Sequence, residues 1–305
     1  MRGGARLIRG GLAATLVAAF VVATLVAACG PASSASPEGS IAAPAVATPS
    51  AAPASPGTAS GTPVPSSAPV DLTVYAAASL RDVLEPLKAR YAQIAPWVTI
   101  TISTGASSAL RTQIEQGAPA DVFLSADTKN PAALVTAGLT AGEAKLLVDN
   151  RLTIIVPTAN PAGINVAGDL ARPGVKIVAA ADTVPITDYA NELVAKLAAL
   201  PGSPSGFAAS YAANVVSRED DVKAVVAKIE LGEGDAAIVY ATDAAASDAV
   251  TTIAIPPEAE VIAQYAGAVV GRSAHLDDAR AFLDWLNGTE AQEIFGSFGF
   301  RSPGS

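Results

Sequence analysis

Val74-Tyr75-Ala76-Ala77-Ala78-Ser79-Leu80 passes from a strand-like to a helix-like pattern at its serine. Ser103-Thr104-Gly105-Ala106-Ser107-Ser108-Ala109-Leu110 repeats the transition. A serine at such a junction is expected to cap the helix with its hydroxyl. The first backbone N–H groups of the helix have no intrahelical partners. Through these donors and its positive dipole such an end attracts anions. Two of them in one domain point to a site where a small oxyanion is held by neutral donors.

Outward from these junctions the chain alternates strand and helix. Residues 72–76 read as a strand; Leu80, Val83, Leu84, Leu87 and Tyr91 follow at helical spacing, with Pro86 expected to kink or restart that helix. Residues 98–102 form a second strand, and the helix over 108–116 ends at Gly117 with Pro119 beyond. Further strands are expected over 120–125, 152–156, 176–180, 236–240, 253–255 and 266–270. Helices are expected over 189–200, around Val222, Val225, Val226 and Ile229, and over 279–286 and 290–296. Residues 201–209 read as a surface loop. Short strands separated by helices imply an α/β fold with mixed, mostly parallel sheets and helices on both faces. Ligands in such folds gather at the carboxyl ends of strands, where Ser79 and Ser107 fall.

The amino terminus is a separate matter. Arg2, Arg6 and Arg9 precede the uncharged apolar run 11–28, which ends at Leu25-Val26-Ala27-Ala28-Cys29. Residues 1–29 read as an export signal, although about 18 apolar residues also suffice to span a bilayer. Cys29 is the single cysteine of the chain, so it forms no internal disulfide. Its position resembles a bacterial lipobox, which implies cleavage before Cys29 and lipidation of its thiol; two or more acyl chains anchor a protein stably. Residues 30–70 are almost wholly Ala, Pro, Ser, Thr and Gly, with Glu38 as the one charge, and read as a disordered tether.

The whole chain carries a formal net charge of −9. Without the three leader arginines, the folded part is more acidic still. That excludes a nucleic-acid partner, which requires clustered Lys and Arg. An anion site here must work through local donors rather than a basic field.

The run 74–80, together with 105–127 (GASSALRTQIEQGAPADVFLSAD), 219–222 (EDDV), 237–244 (AIVYATDA) and 291–300 (AQEIFGSFGF), resembles the periplasmic molybdate-binding proteins of ABC transporters. The resemblance covers about 71 to 301. It implies a two-lobed solute-binding fold with the oxyanion in the cleft, the first lobe made of 71–152 and 264–305 and the second of 153–263. It implies hydroxyl donors at Ser79 and Ser107, backbone donors at Ile186 and Val222, and a phenol donor at Tyr240. The protein would be a monomeric extracytoplasmic lipoprotein that captures molybdate or tungstate, needs no cofactor and delivers its ligand to an ABC permease. One position departs from the family pattern: Val184-Pro185-Ile186-Thr187 stands where Val-Pro-Ala-Gly is common, and leaves the choice of oxyanion open.

Each residue also has a plainer reading. Ser79 and Ser107 can be ordinary caps, Ser108 can share or replace the role of Ser107, and Tyr240 can be core. Lys129, Arg218 and Lys223 read as solvated surface charges. The rival class is a serine hydrolase using Ser107 and His275, the only histidine, since the strand-to-helix turn at Ser107 loosely resembles a nucleophile elbow. No glycine-rich oxyanion loop precedes that serine. A binding protein for another oxyanion, such as sulfate, is the remaining alternative.

Overall fold

The computed structural model describes residues 68–304; Cys29, the leader and nearly all of the tether lie outside the described residues. In chain order, β1 (Val70–Ala77) leads through a 3₁₀ turn (Ala78–Leu80) into α1 (Arg81–Ile94), followed by β2 (Val98–Gly105), α2 (Ser107–Glu115), β3 (Val122–Ser125) and α3 (Lys129–Thr136). The long β4 (Lys145–Pro157) opens the middle of the chain, with β5 (Ile177–Ala180), α4 (Pro185–Ala199), α5 (Phe207–Asn214), β6 (Val215–Glu219), α6 (Val222–Glu230) and β7 (Ala237–Tyr240). After α7 (Ala241–Ala245) and β8 (Val250–Ile253), β9 (Ile262–Val269) leads to α8 (Leu276–Leu286) and α9 (Thr289–Ser297).

The main sheet runs β2-β1-β3-β9-β4-β7, with β8 also on β4, and β5 pairs with β6. The expected parallel pairing holds for β1 with β2, β1 with β3, and β5 with β6. Every antiparallel pair involves β4 or β9. The sheet is therefore mixed, for a physical reason: β4 and β9 carry the chain out to the second lobe and back, and adjacent strands running out and back are antiparallel. β4 pairs with β9 from Lys145 to Arg151 and with β7 and β8 from Leu152 onward.

Side chains alternate across a strand, and β3 shows how this builds two layers. Val122 and Leu124 face the larger core with the apolar stripes of α1 and α8. Phe123, between them, faces a second core with Leu110 and Ile114 of α2 and Leu134 of α3. Helices thus cover both faces. In α1 the buried stripe is Val83, Leu84, Leu87 and Tyr91, and the Tyr91 ring meets Phe282 edge-on at 4.9 Å. Burying each such side chain contributes about 1.5–3 kcal/mol. That stripe also explains why Pro86 neither breaks nor restarts α1, which is continuous through it. The proline removes one backbone hydrogen bond, and packing on both sides of it holds the helix.

Two other expectations shift. Residues 201–209 are not loop throughout, because α5 starts at Phe207, whose ring is buried. Gly206 at φ +71° makes the left-handed turn that starts it. The strand expected over 253–255 lies earlier, as β8, since Val250 to Ile253 are the residues that pair with β4.

Gly267 of β9 sits where α8 lies closest to the sheet. A Cβ there would lie 2.7 Å from Leu283 Cδ1 and 2.9 Å from Leu124 Cδ2, and both leucines are buried. Overpacking of this kind costs about 1–3 kcal/mol. Gly267→Ala should lower the unfolding free energy by that amount, read as an earlier midpoint in urea; an unchanged midpoint would show that the two leucines shift without cost.

Candidate functional site

The parallel register of β1 and β2 places Ala77 directly opposite Gly105. The two strands end level, so the segments that follow begin side by side about 5 Å apart. Ser79 and Ser107 lie just past these ends. Ala180 and Glu219 are likewise partners at the ends of β5 and β6, and the chain then enters α4 and α6. Tyr240 ends β7, opposite Leu152 of β4.

These ends converge on one small cavity. Ala77, Ala78, Ser79, Gly105, Ala106, Ser107 and Ala126 line it from one side, and Val184, Pro185, Ile186, Asp221, Val222 and Tyr240 from the other. All five residues singled out from the sequence face the same space, of about 10 Å³ as measured by the centre of a water-sized body. That is roughly the room one water molecule needs. Beside it opens a cleft of about 710 Å³ lined by Ser108, Arg111, Asp127, Lys129, Asp188 and Asp220, among others. Ser108 therefore faces the open cleft rather than the cavity. An apolar pocket of about 220 Å³ behind α4 shares only Ile186 with the cavity.

The serine hydroxyls do not cap their helices. The residues in the cap positions are Ala77 and Ala106, and neither helix start has a side-chain cap. Ser107 Oγ instead accepts a hydrogen bond from the Ala126 N–H at 3.0 Å. Ser79 Oγ is 2.8 Å from the Tyr265 hydroxyl. The physical reason is that each serine sits inside the first turn, where its hydroxyl reaches neighbouring strands instead of its own helix. Both serines are buried.

The turn that presents Ala126 is fixed by the GAPADVFLSAD segment. The Ser125 hydroxyl donates to Asp127 Oδ1 at 2.8 Å. Asp127 also accepts the Asn130 N–H at 3.0 Å and its side-chain amide at 2.8 Å, starting α3. A charged acceptor for three donors holds this corner rigidly.

On the other side, the donors are backbone groups at helix starts. The Asp221 carboxylate caps α6 by accepting the Ala224 N–H at 2.9 Å. Pro185 has no N–H, and Thr187 N–H donates to Val184 O. The N–H groups of Ile186 and Val222 donate to nothing among the described residues. Neither position depends on its side chain, which is core in both cases. The Thr187 hydroxyl donates back to the carbonyls of Ala180 and Ala181, at 3.1 and 2.9 Å, and adds nothing to the cavity.

Tyr240 is 1% exposed, and its hydroxyl has no hydrogen-bond partner among the described residues. Burial, with the buried Tyr265 beside it, raises its pKa well above that of a free tyrosine. It stays protonated and is a donor. No Lys or Arg lines the cavity. Two nearby pairs cross the cleft, Lys129 with Asp188 at 2.7 Å and Lys223 with Asp82 at 2.5 Å, and Lys223 also meets Asp243 on its own side at 2.9 Å. Lys223 is thus a half-buried bridge rather than a solvated charge. Asp243 is fully buried, and desolvation pushes its carboxyl up to about 6 against the pull of Lys223. Arg218, paired with Asp182 at 2.8 Å, is an exposed surface charge.

His275 is not brought to Ser107. It starts α8, where its N–H bonds to Ser273, and Ser273 bonds Asp121 at the amino end of β3. Ser107 meets Ala126 beyond the carboxyl end of the same strand. Sequence reading missed Tyr265 and Asn150, which flank Ser79. An Asn in a strand and a Tyr in an apolar run carry no local signal of a site.

An unpartnered buried hydroxyl costs about 1–3 kcal/mol. In anion-free protein, Tyr240→Phe should therefore raise the unfolding free energy by up to about that amount. Denaturant unfolding measures it, and a loss of stability would mean that the hydroxyl is already satisfied.

The chain matches the family of bacterial extracellular solute-binding proteins over residues 72–301. It is 31% identical to the molybdate-binding protein ModA of Mycobacterium tuberculosis over 295 residues, covering 96% of this chain and 98% of that one. In fold it is similar to the periplasmic molybdate-binding protein of Azotobacter vinelandii, at a TM-score of 0.64 and 23% identity, over 76% of this chain and 99% of that one. The sulfate-binding protein SubI of M. tuberculosis superposes with a TM-score of 0.68 at 23% identity, over 77% of this chain and 88% of that one. With a family match over its folded part and a ModA relative aligned along nearly its whole length, the chain belongs to the bacterial extracellular solute-binding proteins, as a member of the ModA type.

Proposed function

We propose that this protein captures molybdate or tungstate outside the cytoplasm and passes it to an ABC permease. The observation that carries the reading is the convergence of Ser79, Ser107, Ile186, Val222 and Tyr240 on one cavity. Within that set the Tyr240 hydroxyl and the N–H groups of Ile186 and Val222 lack partners among the described residues. A buried site that offers donors and few acceptors suits a fully deprotonated dianion. A proton on hydrogen phosphate would be left unpaired, at a cost of about 1–3 kcal/mol.

The two lobes, 71–152 with 264–305 and 153–263, would close about the segments near Asn150 and Gln264. Closure brings Ser79 and Ser107 from one lobe against Ile186, Val222 and Tyr240 from the other, and exchanges the anion's water for fixed donors. The cavity of about 10 Å³ is smaller than a tetrahedral oxyanion requires, so the lobes part to seat the ligand. No cofactor is needed for capture. Sulfate carries the same charge and no proton; rejecting it falls to size, since the smaller ion cannot reach donors from both lobes at once.

Hydrogen bonds from neutral donors to a charged group contribute about 1.5–3 kcal/mol each. Ser79→Ala and Ser107→Ala should each weaken molybdate binding by roughly 10- to 150-fold by calorimetry, at about 1.4 kcal/mol per decade. Molybdate and tungstate should raise the melting temperature most, sulfate little and phosphate not at all. Sulfate or phosphate ranking first would overturn the ligand, and unchanged affinity in both serine variants would overturn the site.

Anchoring is a separate proposal, supported by the lipobox-like run before Cys29. A lipidated Cys29 would hold the monomer at the membrane surface, with 30–70 as spacer. Cys29→Ser should abolish processing and shift the protein out of the membrane fraction; equal membrane retention of both forms would rule the anchor out.

A further inference from the structure

We propose that Tyr265 and Asn150 are positioning residues that orient the Ser79 hydroxyl as a one-way donor toward the cavity, and so set its discrimination against protonated oxyanions. The inference rests on the reading of Ser79 as an anion donor.

Proton bookkeeping carries it. Asn150 Oδ1 accepts the Arg151 N–H at 2.9 Å, which assigns the other side-chain atom as the amide nitrogen. That nitrogen donates to Thr242 Oγ1 at 2.9 Å and lies 3.4 Å from the Tyr265 hydroxyl. Tyr265 has one proton. As acceptor from Asn150, it turns that proton to Ser79 Oγ, 2.8 Å away. Ser79 Oγ is then an acceptor within the protein, and its own single proton is left for the cavity. The chain of donation runs Asn150 to Tyr265 to Ser79 and outward. Ser107 is treated the same way by the Ala126 N–H. Were Ser79 to donate to Tyr265 instead, its lone pairs would face an anion.

The surroundings fix this direction. Tyr265 and Asn150 are 0% and 1% exposed, so no bulk water offers Tyr265 another acceptor. The Tyr265 ring is held edge-on between Tyr240 at 5.6 Å and Phe300 at 5.7 Å. Desolvation, with the Asp243 charge adding to it, keeps Tyr265 protonated by raising its pKa well above the ordinary tyrosine value. Both residues belong to the crossover strands: Tyr265 on β9 faces Val148 of β4, and Asn150 on β4 faces Ala263 of β9. The second amide proton of Asn150 ties in Thr242, two residues past Tyr240. One side chain at the crossover thereby references hydroxyl groups on both sides of the cavity.

The test is a double-mutant cycle on full-length protein, read by calorimetry with molybdate and with inorganic phosphate. Tyr265→Phe removes one hydroxyl and keeps the ring. It should weaken molybdate binding about 3- to 10-fold, the size of one neutral hydrogen bond. The same substitution in a Ser79→Ala background should cost nothing further, because Tyr265 acts through Ser79. Phosphate, which should give no heat with the unaltered protein, should begin to bind weakly to Tyr265→Phe, since a released Ser79 can accept the ligand's proton. Should Tyr265→Phe fold poorly by its melting temperature, Asn150→Ala enters the same cycle, with a smaller loss that also vanishes without Ser79. An equal loss with and without Ser79, or no loss in the single variant, would overturn the proposal. Unchanged affinity in Ser79→Ala alone would instead overturn the site reading beneath it.

Discussion

β4 runs through one continuous sheet, and the position of the site depends on that continuity. Its thirteen residues pair with β9 over the first half and with β7 and β8 over the second. Backbone hydrogen bonds are obligatory for a buried strand, so neither half can shift register without orphaning donors and acceptors. Pairing Leu152 with Tyr240 fixes where the phenol ends up. Pairing Val148 with Tyr265 fixes the hydroxyl that meets Ser79. A strand shared in this way leaves little freedom except a bend at the crossover, which is the motion a closing cleft needs.

In an acidic protein, a site proposed for an anion must solve an electrostatic problem locally. The long-range field is unfavourable, although salt screens surface charges beyond roughly 8–10 Å. Within the cavity the answer is local: neutral N–H and O–H groups stand in for a basic field. Ser107 Oγ already accepts from the Ala126 N–H, and Ser79 Oγ lies 2.8 Å from the Tyr265 hydroxyl. The charges that do lie nearby, Lys129, Lys223, Asp82 and Asp188, are used against each other across the cleft. Exposed pairs such as Lys129 with Asp188 contribute little on their own, about 0–1 kcal/mol.

The cost of this arrangement is visible in the protein itself. Among the described residues, Tyr240 keeps a buried hydroxyl without a partner, a group that a core built for stability alone would replace by Phe. The N–H groups of Ile186 and Val222, which have no partner among those residues either, belong to the same pattern. Such groups concentrate where a structure is organised for a ligand rather than for its own stability.

The strand ends, the α/β class and five of the residues that line the cavity were legible in the sequence. Local rules suffice for these: apolar alternation marks a strand, 3.6-residue spacing marks a helix, and distinctive runs such as AAASL and GAPADVFLSAD mark the ends that matter. Backbone donors were equally legible, because a helix start exposes N–H groups whatever side chains it carries. The antiparallel crossover, the partners that both serine hydroxyls meet, the structural rather than solvated place of Lys223, and the contacts of Tyr265 and Asn150 were decided only by tertiary structure. Tyr265 meets Ser79 across 186 residues of chain, and Asn150 meets Thr242 across 92. Propensity and spacing act over a few residues, whereas which way a hydroxyl points depends on whichever partner packing brings within 3 Å. The sequence marked which strand ends carry the candidate site; the fold decided which partner each hydroxyl meets.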